Sequence, residues 1–219
     1  MKKNLTELVF ILDCSGSMHG LEKDTIGGFN SMIEKQKKLD GNALITTILF
    51  NHKNKVVHDR VDVRDIGPMS GKDYVTGGST ALLDTIGHAV CHITNIHKYS
   101  RKEDLPEHTM FIITTDGMEN SSHKYDYGMV RQLIELQKEK YGWEFMFLGA
   151  NIDAIDVASH MGIDESRAVN FNCDSEGTEL NYEVLNEAIS VLRKCSFVSA
   201  DWKKRIDNDF KKRKKSRNK

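Results

Sequence analysis

The chain has 219 residues, 39% of them hydrophobic, which is enough for one large α/β domain, or two small ones, with a full core. Net charge is −1, yet ten of the 31 basic residues and only two of the 32 acidic ones fall within residues 202–219, so an acidic body carries a basic end. Four scattered cysteines without a C-x-x-C pair fit a reducing compartment, the polar start Met1–Thr6 excludes a secretory leader, and no apolar run approaches a membrane span; a cytoplasmic protein without membrane contact is expected.

Leu8–Leu12 is an apolar run that predicts a buried strand, and Asp13-Cys14-Ser15-Gly16-Ser17 follows it as D-x-S-x-S. One carboxylate and two hydroxyls at alternate loop positions make half of an oxygen cage for a hard divalent cation. Residues 24–38 place Ile26, Phe29, Met32 and Ile33 on one helical face. Ala43–Phe50 and Lys55–Val63 read as strands joined by only Asn51–Asn54, hence a hairpin whose second strand is antiparallel and at the sheet edge. Residues 64–79 are irregular and carry Gly67, Gly71, Gly77 and Gly78; Thr80 then precedes a helix from about Ala81 to Tyr99. Met110–Thr114 is a further buried strand, ending in Thr115-Asp116-Gly117. A helix over Asp126–Tyr141, a strand over Trp143–Leu148, a short helix over Asp153–Met161, a short strand over Ala168–Phe171 and a helix over Glu179–Cys195 complete the pattern.

Strands alternating with helices of this length imply right-handed βαβ units. The expected fold is α/β, a Rossmann-like doubly wound domain: a mostly parallel central sheet, one antiparallel edge strand and helices on both faces. One domain over residues 5–200 is expected, followed by a disordered basic tail over 201–219. The run Lys211–Lys219 offers an electrostatic contact to nucleic acid or to an acidic partner, with a solubilising end as the plainer reading.

In a doubly wound sheet the loops at the carboxyl ends of the strands converge on one crevice. Adjacent strands would bring Asp13 and Asp116 together there, and a divalent ion removes the repulsion between two such carboxylates. Gly77-Gly78-Ser79-Thr80 supplies a third loop, with Thr80 near a helix N-terminus.

These three pieces, Asp13-Cys14-Ser15-Gly16-Ser17, Gly78-Ser79-Thr80 and Thr115-Asp116-Gly117, resemble the von Willebrand factor A (vWA) domain and its metal-ion-dependent adhesion site (MIDAS). The resemblance is to the polar single-domain members of bacteria and phages, relatives of tellurite-resistance proteins among them. It implies Mg2+ (or Mn2+) held directly by Ser15, Ser17 and Thr80 and largely through water by Asp13 and Asp116. The remaining position goes to water or to an Asp or Glu of a partner protein. A non-enzymatic intracellular binding module follows from it.

Two other readings use the same residues: a metal-dependent hydrolase or phosphotransferase with Asp84 or Glu119 as base, and a nucleic-acid-associated protein acting through the tail. Cys14 is read as a small loop residue and His19 as a surface residue. His88 and His92 have zinc-compatible spacing, but the glutamate of H-E-x-x-H is replaced by Ala89, so a packed or solvated pair is expected. Asn151 and Asp153 are read as helix-capping residues.

Overall fold

The computed structural model describes residues 2–217. Six strands form one sheet: β1 (Lys2–Asp13), β2 (Asn42–Phe50), β3 (Asn54–Asp62), β4 (Pro106–Thr115), β5 (Glu144–Gly149) and β6 (Ala168–Asn170). Their order is β3-β2-β1-β4-β5-β6, parallel throughout except for the antiparallel β2–β3 hairpin at one edge. The helices are α1 (Glu22–Lys37), α2 (Leu82–Tyr99), α3 (Tyr127–Tyr141), α4 (Ala154–His160), α5 (Ser175–Cys195) and α6 (Lys204–Arg217).

Alternation along β1 assigns the two faces. Leu8, Phe10 and Leu12 pack with Phe29 and Met32 of α1 and Leu185 and Ile189 of α5. Val9 and Ile11 point the other way, to Ile86 and Val90 of α2, Val130 and Ile134 of α3 and Ala158 of α4. Both faces of the sheet are therefore covered, which is why its central strands read as continuous apolar runs rather than as alternating ones.

β1 begins six residues before the apolar run that predicts it. Thr6 and Glu7 are buried strand residues that hydrophobicity alone passes over. Glu7 is held by Arg60 of β3, which donates to one carboxylate oxygen, and by His97 of α2, whose Nε2 lies 2.5 Å from the other. α5 likewise starts earlier than its apolar spacing suggests, because Asp174 caps it by accepting the Gly177 N–H at 2.9 Å.

The expectation of a disordered tail over 201–219 is corrected for the described part. Residues Ala200–Lys203 form a 3-10 turn and Lys204–Arg217 a helix that packs on α5 and β6; residues 218 and 219 lie outside the described residues. Ile206 is buried, Trp202 Nε1 donates to the Ser166 carbonyl at 2.8 Å, and Arg213 bridges Asp174 and Asp209, each at 2.7 Å. A charge run looks solvated in sequence when its counter-charges lie elsewhere in the chain. Here Asp174 supplies one, alongside Asp209 one turn back on α6, and Gly177 lets α6 approach: a Cβ there would meet the Asn172 carbonyl oxygen at 2.0 Å and Arg213 at 3.3 Å.

Candidate metal centre

β1 and β4 are parallel neighbours with Leu12 opposite Thr114, so Asp13 and Asp116 leave the same end of adjacent strands. Asp13 is fixed on both sides. Its Oδ1 accepts the Ser15 N–H at 2.7 Å and its Oδ2 accepts the Thr115 hydroxyl at 2.6 Å. Tyr74 adds a hydrogen bond from its hydroxyl to the Asp13 carbonyl. Ser15 Oγ and Ser17 Oγ are 3.1 Å apart, and Ser17 donates to Asp116 Oδ1 at 2.5 Å. A Cβ on Gly117 would stand 3.5 Å from Ser17 Oγ and 3.7 Å from Thr80 Oγ1, so these two hydroxyls face one small space that a side chain at 117 would fill.

The Thr80 loop is hung from the first loop by backbone bonds: Gly16 N–H to the Gly78 carbonyl at 3.0 Å, and Gly77 N–H to the Cys14 carbonyl at 2.9 Å. Gly78 has φ +80°, and a Cβ there would lie 2.2 Å from His52 Nδ1, which explains the glycine twice over. Asn120, from the loop after β4, accepts the Thr80 N–H at 2.9 Å and donates its own N–H to the Thr80 carbonyl at 3.0 Å. The structure thus brings all five predicted residues, Asp13, Ser15, Ser17, Thr80 and Asp116, into one cluster.

The electrostatics of this cluster are one-sided. Asp13 and Asp116 are buried, and neither has a Lys, Arg or His within 4 Å among the described residues. Burial, with the nearby Asp13 charge adding to it, pushes the Asp116 carboxyl above its ordinary value, against the pull of the Ser17 hydrogen bond. No group of three or more His, Cys, Asp or Glu side chains suited to a metal occurs among the described residues. The donor set is instead two carboxylates and three hydroxyls. Neutral and anionic oxygens with an uncompensated negative charge suit a hard divalent cation.

The remaining candidates settle into other roles. Asp84 accepts the N–H groups of His123, Lys124 and Tyr125, and Glu119 accepts those of Leu83, Ser121 and Ser122, so both carboxylates pin the β4–α3 loop to the start of α2. The His88 ring meets Tyr125 edge-on and His92 Nε2 lies 2.9 Å from Asp59, so the two imidazoles serve different partners. His19 stands 3.1 Å from Glu22. Asp153 caps α4, but Asn151, in a left-handed conformation, donates to the Asp116 carbonyl at 3.3 Å. Burial above all, then the Asp13 charge, pushes the buried Cys14 thiol up to about 11.

Four residues of the site are not identified from sequence. Thr115 belongs to the Thr115-Asp116-Gly117 motif, but its hydrogen bond to Asp13 is not marked in the sequence. Tyr74, Asn120 and Cys173 come from separate loops and carry no sequence signal. Cys173 Sγ lies 3.6 Å from Asp116 Oδ2, and burial first, then the Asp116 charge, pushes that thiol up to about 12.

No protein-family model and no curated protein matches the chain. Its fold does recur among solved structures. The D319A mutant of the PilB minor pilin from Streptococcus sanguinis matches with TM-score 0.61 and 11% identity, over 88% of this chain and 63% of that one. Proximal thread matrix protein 1 from the mussel byssus, solved with a zinc-occupied MIDAS motif, matches with TM-score 0.58 and 11% identity, over 83% of this chain and 47% of that one. A von Willebrand factor type A structure from Catenulispora acidiphila matches with TM-score 0.56 and 14% identity, over 84% and 42%. The shared architecture is that of the vWA domain. The chain spans under two thirds of the length of each of these three proteins.

Proposed function

We propose that this chain is a metal-ion-dependent protein-binding module, not an enzyme, of the intracellular single-domain kind. Ser15, Ser17 and Thr80 hold Mg2+ or Mn2+ through their hydroxyls, while Asp13 and Asp116 orient that shell and balance its charge. The bound ion supplies an electrophilic centre for an Asp or Glu of a partner protein. The observation that carries this reading is the connected set Asp13–Thr115, Ser15–Ser17 and Ser17–Asp116, which holds two buried carboxylates with no protein cation to neutralise them. Zinc in the MIDAS motif of the byssal protein supports a divalent ion at such a site. A binding role is favoured over hydrolysis because Asp84 and Glu119, the two candidate bases, are committed to backbone N–H groups. The intracellular assignment rests on four free cysteines. No helix among the described residues is long and apolar enough to cross a membrane.

An array of acidic peptides probed with the full chain tests this reading. A subset of Asp- or Glu-containing peptides retains the protein in magnesium, releases it in EDTA and recovers it when magnesium is restored. Equal retention in magnesium and EDTA contradicts the reading.

A further inference from the structure

Beside the metal centre lies a second feature. Asn151, Asp153, Phe171, Cys173, Phe210 and Lys214 are among the residues lining an open cleft of about 460 Å³, in which Asp153 is committed to capping α4. The cleft adjoins the site: Asn151 donates to the Asp116 carbonyl and Cys173 lies against the Asp116 carboxylate. Its lining includes the largely buried Phe171 and the ring of Phe210, with the Lys214 ammonium 6.0 Å from the Phe210 centroid.

Seven of the basic residues of the carboxyl end fall into two sets. Lys203 is bound to the carbonyls of Glu165 and Ala168, Lys204 to Asp201, Arg205 to Glu183 and Glu187, and Arg213 to Asp174, Glu176 and Asp209. These attach α6 to the body. Lys211, Lys214 and Lys215, spaced three and four apart and so on one side of the helix, have no acidic partner within 4 Å among the described residues. The Arg213 clamp therefore fixes the register of α6 so that the Lys214 ammonium stands at the cleft beside the metal centre.

We infer that α6 is a specificity element that selects an acidic segment of a partner protein: one carboxylate goes to the metal ion, an apolar or aromatic side chain lies over Phe171 and Phe210, and a second carboxylate goes to Lys214. This rests on the metal-binding reading above and names the class of partner for that same site. Charge complementarity supplies the argument. A strand of nucleic acid would meet only this short row of lysines and then the acidic body of the domain.

The test uses the full chain and its Lys214→Glu variant on the peptide array in magnesium, with a fluorescent single-stranded DNA oligonucleotide as the control probe. Lys214 is exposed on its helix, and an unchanged magnesium-induced rise in melting temperature verifies that the variant keeps its metal site. Wild type retains most strongly peptides that combine an apolar residue and a second Asp or Glu close to the first. Lys214→Glu lowers retention of these peptides by about fivefold to tenfold, the scale of reversing one exposed charge pair, and leaves singly acidic peptides unchanged. Magnesium-dependent retention that is indifferent to Lys214 overturns the inference and leaves the metal-binding reading standing. Absence of any magnesium-dependent retention overturns both. DNA binding in EDTA that is lost in Lys214→Glu, with no change in peptide preference, assigns the lysines to nucleic acid and overturns the inference.

Discussion

Asp116→Asn is expected to move the two states of this protein in opposite directions: the metal-free chain melts higher than wild type, and the stabilisation that magnesium gives wild type disappears. The first effect follows from geometry. Asp116 is only 1% exposed and is held near Asp13 without a cation, so its ionised form is disfavoured in the fold. A carboxyl whose folded value is raised contributes stability that is present below its unfolded value and is lost as pH rises through the folded value. Metal-free wild type therefore loses stability as pH climbs from 3.8, the ordinary value for this carboxyl, through its raised value in the fold, and the asparagine variant loses less. The second effect follows from linkage. At a hundredfold excess over its dissociation constant, an ion that binds only the folded state adds about 2.7 kcal/mol. For a domain of this size that is a rise of about 5–10 °C. Thermal melts of both proteins with EDTA and with magnesium, at two pH values, measure all four quantities. A variant that melts lower without metal, or that keeps the magnesium shift, contradicts the account.

The second large effect lies partway along β1, away from the metal loops. Glu7→Ala is expected to cost about 3–5 kcal/mol, because it leaves Arg60 and His97 facing a buried site without their shared carboxylate. Glu7 is fully buried at the centre of the sheet, and the Arg60 side chain keeps only 21% of its surface exposed. Urea unfolding with an unchanged slope and a lowered midpoint is the expected signature. Glu7→Gln, which keeps hydrogen-bond acceptance but no charge, recovers part of the loss. A cost below about 1 kcal/mol for the alanine variant is incompatible with a buried charge cluster that ties β1 to β3 and α2.

The contrast between these two sites explains what the sequence reveals. Two of the metal loops are legible because Asp13, Ser15 and Asp116 lie within two positions of a strand end and Ser17 within four, where an apolar run such as Leu8–Leu12 or Met110–Thr114 marks the place, whereas Thr80 is marked by the glycines before it and the helix after it. The alternation of strands and helices implies a doubly wound sheet, and the observed adjacency of β1 and β4 sets Asp13 beside Asp116. Glu7 is invisible to the same reasoning: a charged residue next to an apolar run looks like its boundary, and its partners sit 53 and 90 positions away. The α6 helix is missed for the same reason. Its basic residues look solvated until Asp174, Glu176, Glu183 and Glu187 are brought alongside by the packing of α5. Tyr74, Asn120 and Cys173 reach the site through irregular loops, whose paths neither periodicity nor composition predicts. Local patterns thus identify the donors, whereas the long-range polar contacts that hold those donors in place emerge only from the fold.

The most direct measurement is an anomalous-difference map from crystals grown with Mn2+. A single strong peak is expected in the space bounded by Ser15 Oγ, Ser17 Oγ and Thr80 Oγ1, within water-mediated reach of both Asp13 and Asp116, and it vanishes in Asp116→Asn. Millimolar manganese that leaves this space without a peak, or that binds only at another group of side chains, contradicts the claim that these three loops form one metal centre.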